Sequence, residues 1–138
     1  MKVRPEEQGF DPDTFDAAAA ESARRRGLEL FDAGEYHAAH EELERCWLAS
    51  EGADSEFYKG LIQAAICMHH FQRGNLEGAR KLYAGQRRLL GPYLPAHQGL
   101  DLVRFLAEMQ RALAPVLRAR DGAMFREAER PRVLDTGP

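Results

Sequence analysis

The chain has 138 residues, of which 44% are hydrophobic and 30% charged, and a formal net charge of -3. Scaling of surface with mass allows about two thirds of the unfolded surface to be buried, enough for one core and too little for two domains. No uncharged apolar run approaches the ~18 residues that a membrane span needs. The opening MKVRPEEQGF has no apolar signal core, and Cys46 and Cys67 cannot form a disulfide framework, so a reducing cytoplasm is the expected setting.

The elements read as helices almost throughout. Asp11-Pro12-Asp13-Thr14 is a helix start, an Asp cap followed by a first-turn Pro. From there to about Ala33, Phe15, Ala19, Ala23, Leu28 and Phe31 recur at roughly helical spacing, and Gly34 ends the helix as a left-handed cap. A second helix is expected from about Tyr36 to Ser50. A third runs from about Glu56 to Gln72, capped by Asp54 or Ser55, and Gly74-Asn75 breaks it. Asn75 caps a fourth, from about Leu76 to Leu90, which stops at Gly91-Pro92. Residues 91–99 hold two Pro and two Gly and read as a loop, with His97 in solvent. A fifth helix runs from about Leu100 to Leu113 and continues past Pro115 with a kink. No segment shows a convincing period-2 strand pattern. The domain layout is an N-terminal extension over 1–12, a single helical domain over 13–118 and a C-terminal tail over 119–138.

Phe31-x-x-Gly34-Glu35-Tyr36-x-x-Ala39 matches Phe71-x-x-Gly74-Asn75-Leu76-x-x-Ala79 at a period of 40 residues. In each copy a helix ends, a Gly turns the chain, and a small Ala follows where two helices approach. The pattern is similar to the tetratricopeptide repeat, although its period is longer than that repeat's ~34 residues and two copies are few for an open solenoid. The expected fold class is therefore all-α: a compact bundle of about five helices, two tetratricopeptide-like hairpins plus a closing helix.

Charge divides along the chain. Residues 1–69 carry net -8 and residues 70–138 net +5. Two solvated helix faces explain this, and so would head-to-tail association or an acidic partner. Basic runs with interleaved aromatics and zinc-finger spacings are both lacking, so no nucleic-acid partner is expected. A protein or small-molecule partner, or a homodimer, is.

On the second helix Tyr36, His40, Leu43, Glu44 and Trp47 share one face. A His and a Glu among large apolar residues are the sharpest anomaly in the chain, because buried charge is costly unless paired or metal-bound. The third helix is apolar nearly all round from Gly60 to Met68, with Gln63 inside that run and Gln63, Cys67 and His70 on one line. If the second and third helices pack antiparallel, that line faces His40 and Glu44, with Glu41 or His69 at the margin. Three readings of this cluster stay open: a hydrogen-bond network fixing helix register, with Trp47 and Tyr58 as further partners; a small-molecule or peptide pocket; and a metal site on His40, Glu44 and His70, whose chemistry suits zinc, iron or manganese. The spacing lacks the second His of the H-E-x-x-H metalloprotease helix and does not repeat the Glu-x-x-His of di-iron bundles. Cys46 and Cys67 read as small core residues.

The segment Phe31–Trp47, with Phe57–Ala65, His70–Asn75 and Gly78-Ala79, resembles the prokaryotic domain-of-unknown-function family numbered 309, and Gly99-Leu100-Asp101 resembles its entry to the last helix. The resemblance covers about residues 24–113. It implies a small all-helical fold, carries over no activity, and directs interest to His40, Glu41, Glu44, Trp47, Gln63, His70, Arg73 and Asn75. The expected function is a binding or interaction module using a groove between the hairpins. The alternative is a metal- or ligand-dependent enzyme, hydrolase-like, with His40 and His70 as ligands or acid/base groups and Glu44 as ligand or base.

Overall fold

The computed structural model describes residues 15–50, 52–118 and 122–134. Five helices follow one another: α1 (Ala17–Asp32), α2 (Tyr36–Ala49), α3 (Asp54–Gln72), α4 (Leu76–Leu90) and α5 (Leu102–Arg118). The fold is a compact all-α bundle. The Asp11-Pro12 helix start lies outside the described residues; α1 begins at Ala17, where Asp16 Oδ1 accepts from the Ala19 N–H at 2.9 Å.

Helix α3 organises the packing. Ten of its residues are buried, around more than half of the helix, and Lys59, Gln63, Ile66 and His70 form a half-buried strip along the remainder. Helices α2 and α4 lie against it, α1 packs on α2, and α5 packs on α4. Close approach is built in by glycine. A Cβ at Gly27 would stand 2.9 Å from Leu43 Cγ, and one at Gly60 2.7 Å from Leu90 Cδ2.

The 40-residue repeat appears as two turns of the same geometry. Gly34 has φ +81° and Gly74 φ +82°. At the first, the Glu35 N–H reaches Leu30 O at 2.9 Å and the Gly34 N–H reaches Phe31 O at 3.0 Å. At the second, the Asn75 N–H reaches His70 O at 2.8 Å and the Gly74 N–H reaches Phe71 O at 3.0 Å. Both are Schellman endings, which satisfy the last carbonyls of the helix. Gln72 Nε2 donates to Gly34 O at 3.2 Å and ties the two turns together. Ala39 and Ala79 are fully buried where each second helix enters the bundle.

Three expectations need correction. Neither Asp54 nor Ser55 caps α3; the cap residue is Ala53, with no side-chain cap bond. Asp54 Oδ1 instead takes a hydrogen bond from His97 Nε2 at 2.7 Å. The stretch read as a loop contains a 3-10 turn (Gly91–Tyr93) and a two-residue antiparallel pair, β1 (Ala96–His97) and β2 (Leu100–Asp101). Gln98 and Gly99 both have positive φ, the turn type that suits a two-residue hairpin. Strands this short have no period to read. His97 is half-buried, its ring 4.7 Å from that of Phe57 and 4.8 Å from that of Tyr93. The hairpin tip is clamped as well: Arg24 of α1 and Tyr58 of α3 both donate to Gln98 Oε1, at 3.0 and 2.9 Å.

Residues 122–134 of the C-terminal segment pack back on the bundle. Val133 is 1% exposed. The ring of Phe125 lies 6.2 Å from Tyr36 and 5.8 Å from Phe71. The Asp32 carboxylate, at the end of α1, accepts the Val133 N–H at 2.7 Å and the Leu134 N–H at 3.1 Å. Burial raises the Asp32 pKa above its ordinary range, and the two N–H bonds oppose that rise.

The two glycine turns make a graded prediction. A Cβ at Gly74 meets nothing within 4 Å, so Gly74→Ala carries only the left-handed backbone strain, about 1–2 kcal/mol. A Cβ at Gly34 also stands 3.0 Å from Arg130 Cδ. Urea unfolding should therefore show Gly34→Ala to be the more destabilising of the two.

Candidate functional site

The eight singled-out residues divide among three places. His40 and Glu44 form a pair one helical turn apart on α2, with His40 Nε2 2.8 Å from Glu44 Oε2. Their side chains are 25% and 18% exposed, so the pair sits at the rim of the core and not inside it. Tyr36 and Leu43 of the same face are buried, and Trp47 is half-buried against the core. Glu41 is exposed and lies 3.8 Å from His37 Nε2.

Gln63 and His70 face the other way. A Cβ on Gly85 of α4 would collide with Gln63 Oε1, so the Gln63 amide fills the space that this glycine leaves. Cys67 Sγ donates to Ala79 O at 3.1 Å. His70 Nδ1 lies 3.1 Å from Asn75 Nδ2. The Gln63–Cys67–His70 line thus faces α4, whereas His40 and Glu44 are on α2. The expected four-residue polar cluster is not assembled. Asn75 caps α4 as expected, its Oδ1 accepting from the Gly78 N–H at 3.0 Å. Arg73 is exposed at the C-cap of α3.

The structure brings together a different set. Three of the five histidines, His37, His40 and His69, lie side by side on the α2 and α3 surface, and His70 adjoins His69 on the side of α4. The His37 ring is 5.9 Å from His40 and 5.6 Å from His69, and His69 is 6.4 Å from His70. His37 was missed, and His69 was placed only at the margin, because each falls outside the apolar stripe of its helix. The available signal was the His37/His40 spacing on one helix and the His69-His70 pair at the end of the next. The His69 pKa is lowered, first by partial burial and then by the charges of Arg73, His37, His70 and His40. Among the described residues, no three of His, Cys, Asp or Glu are arranged to hold a metal ion.

The thiols have no nucleophile's environment. Burial pushes Cys46 and Cys67 up to about 12, so both stay protonated at neutral pH. Cys46 Sγ lies 3.7 Å from Ala20 O across the α1–α2 interface. Away from the histidines, a depression of about 370 Å³ opens between α1 and α2, lined by Phe15, Ala19, Ser22, Arg26, Glu42 and Arg45.

Residues 24–82 match the family described as Domain of unknown function (DUF309). The matched segment contains most of α1, all of α2 and α3, and the first half of α4, together with both glycine turns and all eight singled-out residues. Gly99-Leu100-Asp101, the expected entry to the last helix, lies beyond the DUF309 match. The chain is also similar to the uncharacterized protein YpuF of Bacillus subtilis (strain 168), 33% identical over 86 residues. That alignment covers 60% of this chain and 49% of YpuF, so the chain spans about half the length of this relative. No solved structure matches. Among the described residues, no helix is long and apolar enough to cross a membrane.

Two outcomes follow from the split site. In a double-mutant cycle, His40→Ala and Glu44→Ala should couple by about 0.3–0.5 kcal/mol, the size of an i,i+4 pair. His70→Ala should add to either without coupling. For pH, the folded chain holds a proton at His69 less readily than the unfolded chain, whose value is near 6.5. His69 therefore favours folding above that pH, and its share is lost as pH falls through it. His69→Gln should flatten the acid-side fall of the urea midpoint.

Proposed function

We propose that the protein is a binding module whose recognition surface is the imidazole and carboxylate face of α2 and α3. The observation that supports this is the convergence of His37, His40 and His69 on one partly open face, with His70, Glu41, Glu44 and Arg73 around them. The apolar residues of these helices point inward and form the core without help from that face. Its groups can donate and accept hydrogen bonds, which suits recognition of a polar partner surface. The partner is a protein or a small polar molecule. The two stacked hairpins would hold this face rigid, as in tetratricopeptide-like modules.

A hydrolase-like chemistry on His40, Glu44 and His70 would need those three groups at one point. Only the His40–Glu44 pair is close, so the binding reading has the better support.

The test uses the full chain as bait in native lysate, beside a variant carrying His37→Ala, His69→Ala and Arg73→Ala. All three side chains lie outside the buried core, so the variant should unfold within a few degrees of the wild type. The expected result is one or more components enriched on the wild type and lost on the variant, as quantified by mass spectrometry. Equal recovery on both, with both folded, would sink the proposal.

A further inference from the structure

Residues 130–134 are held in an unusual way. The bundle reads their main chain with side chains. Glu108 Oε1 accepts the Arg132 N–H at 2.8 Å, and the two oxygens of Asp32 accept the Val133 and Leu134 N–H groups. Arg104 of α5 donates back to Arg132 O and Val133 O, both at 3.2 Å. Three successive N–H groups and two successive C=O groups are thus satisfied without any strand or helix partner. A site that recognises backbone in this way accepts an extended segment and demands little of its side chains beyond one apolar residue in the Val133 pocket.

The match between this segment and its groove is incomplete. Among the described residues, Tyr36 Oη and Arg104 Nε are buried with no hydrogen-bond partner, and both lie at the contact with residues 122–134. Buried polar atoms are normally paired, and the unpaired ones call for an explanation. An occupant with an acceptor group at each point would satisfy both.

We infer that this face, built by Asp32, Tyr36, Phe71, Arg104 and Glu108, is a docking groove for an extended segment of a partner protein. The chain's own residues 122–134 occupy it in cis and are displaceable. The partner segment presents a small β-branched residue at the Val133 pocket, an aromatic ring at the Phe125 position and acceptor side chains toward Tyr36 Oη and Arg104 Nε. Arginines flanking its buried residue, as Arg130 and Arg132 flank this one, would complement Asp32 and Glu108.

The probe is a fluorescent peptide with the sequence of residues 122–134, added to full-length chains. Val133→Asp places a carboxylate beside Asp32 and Glu108 and should eject the cis segment. The expected result is binding of the probe to the V133D chain at least tenfold tighter than to the wild type, and none by a probe that itself carries V133D. No binding to a folded V133D chain would overturn the proposal. A concentration-dependent wild-type dimer formed by exchange of the segment would also overturn it, in favour of a second copy as occupant. Hydrogen exchange on the wild type decides the matter if V133D does not fold. The Arg132, Val133 and Leu134 amides should exchange at least a hundredfold faster than those of Ala64 and Ala65 in α3. Exchange at equal rates would mark the segment as a fixed part of the core.

Discussion

Helix α3 can leave only a half-buried strip, along Lys59, Gln63, Ile66 and His70, toward water, and the rest of the molecule is arranged around that constraint. Its ten buried residues need cover around most of the helix. The neighbours in sequence, α2 and α4, supply two flanks. The N-terminal end, where Phe57 and Tyr58 emerge, is covered by the hairpin and the ring of His97. The C-terminal end, where Met68 and Phe71 lie, receives Phe125 of the returning C-terminal segment. A short chain therefore uses even its polar last stretch to close one apolar helix.

Where the determinants were local, the sequence could be read. The Gly34 and Gly74 turns, the bounds of α2 and α4, the Asn75 cap and the centrality of α3 each follow from a few neighbouring residues. Distant partners set the rest. Strands β1 and β2 have two residues each, too few for alternation, although Gln98-Gly99 was a turn signal. The segment 122–134 has no periodicity because its backbone is held by Asp32, Glu108 and Arg104, from α1 and α5. Arg, Glu and Pro dominate its composition, and only Phe125 and Val133-Leu134 hint at burial.

The candidate site shows a subtler limit. Spacing on α3 correctly put Gln63, Cys67 and His70 on one line. A helix buried around most of its circumference has neighbours in several directions, and periodicity does not say which neighbour a line meets. It meets α4, where Gly85 leaves room for the Gln63 amide. His40 and Glu44 then resolve their own cost as a rim pair, and the polar character of the α2–α3 surface comes from His37 and His69 instead.

The cysteines give each helical hairpin its own reporter. Cys46 lies across the α1–α2 contact against Ala20, and Cys67 across the α3–α4 contact against Ala79. A protonated, buried thiol is inert to alkylating and oxidising reagents until its hairpin parts. The two modification rates are then separate clocks, one for each half of the repeat, in a chain that needs no engineered label. Whether the hairpins breathe together or independently is written in the ratio of those rates.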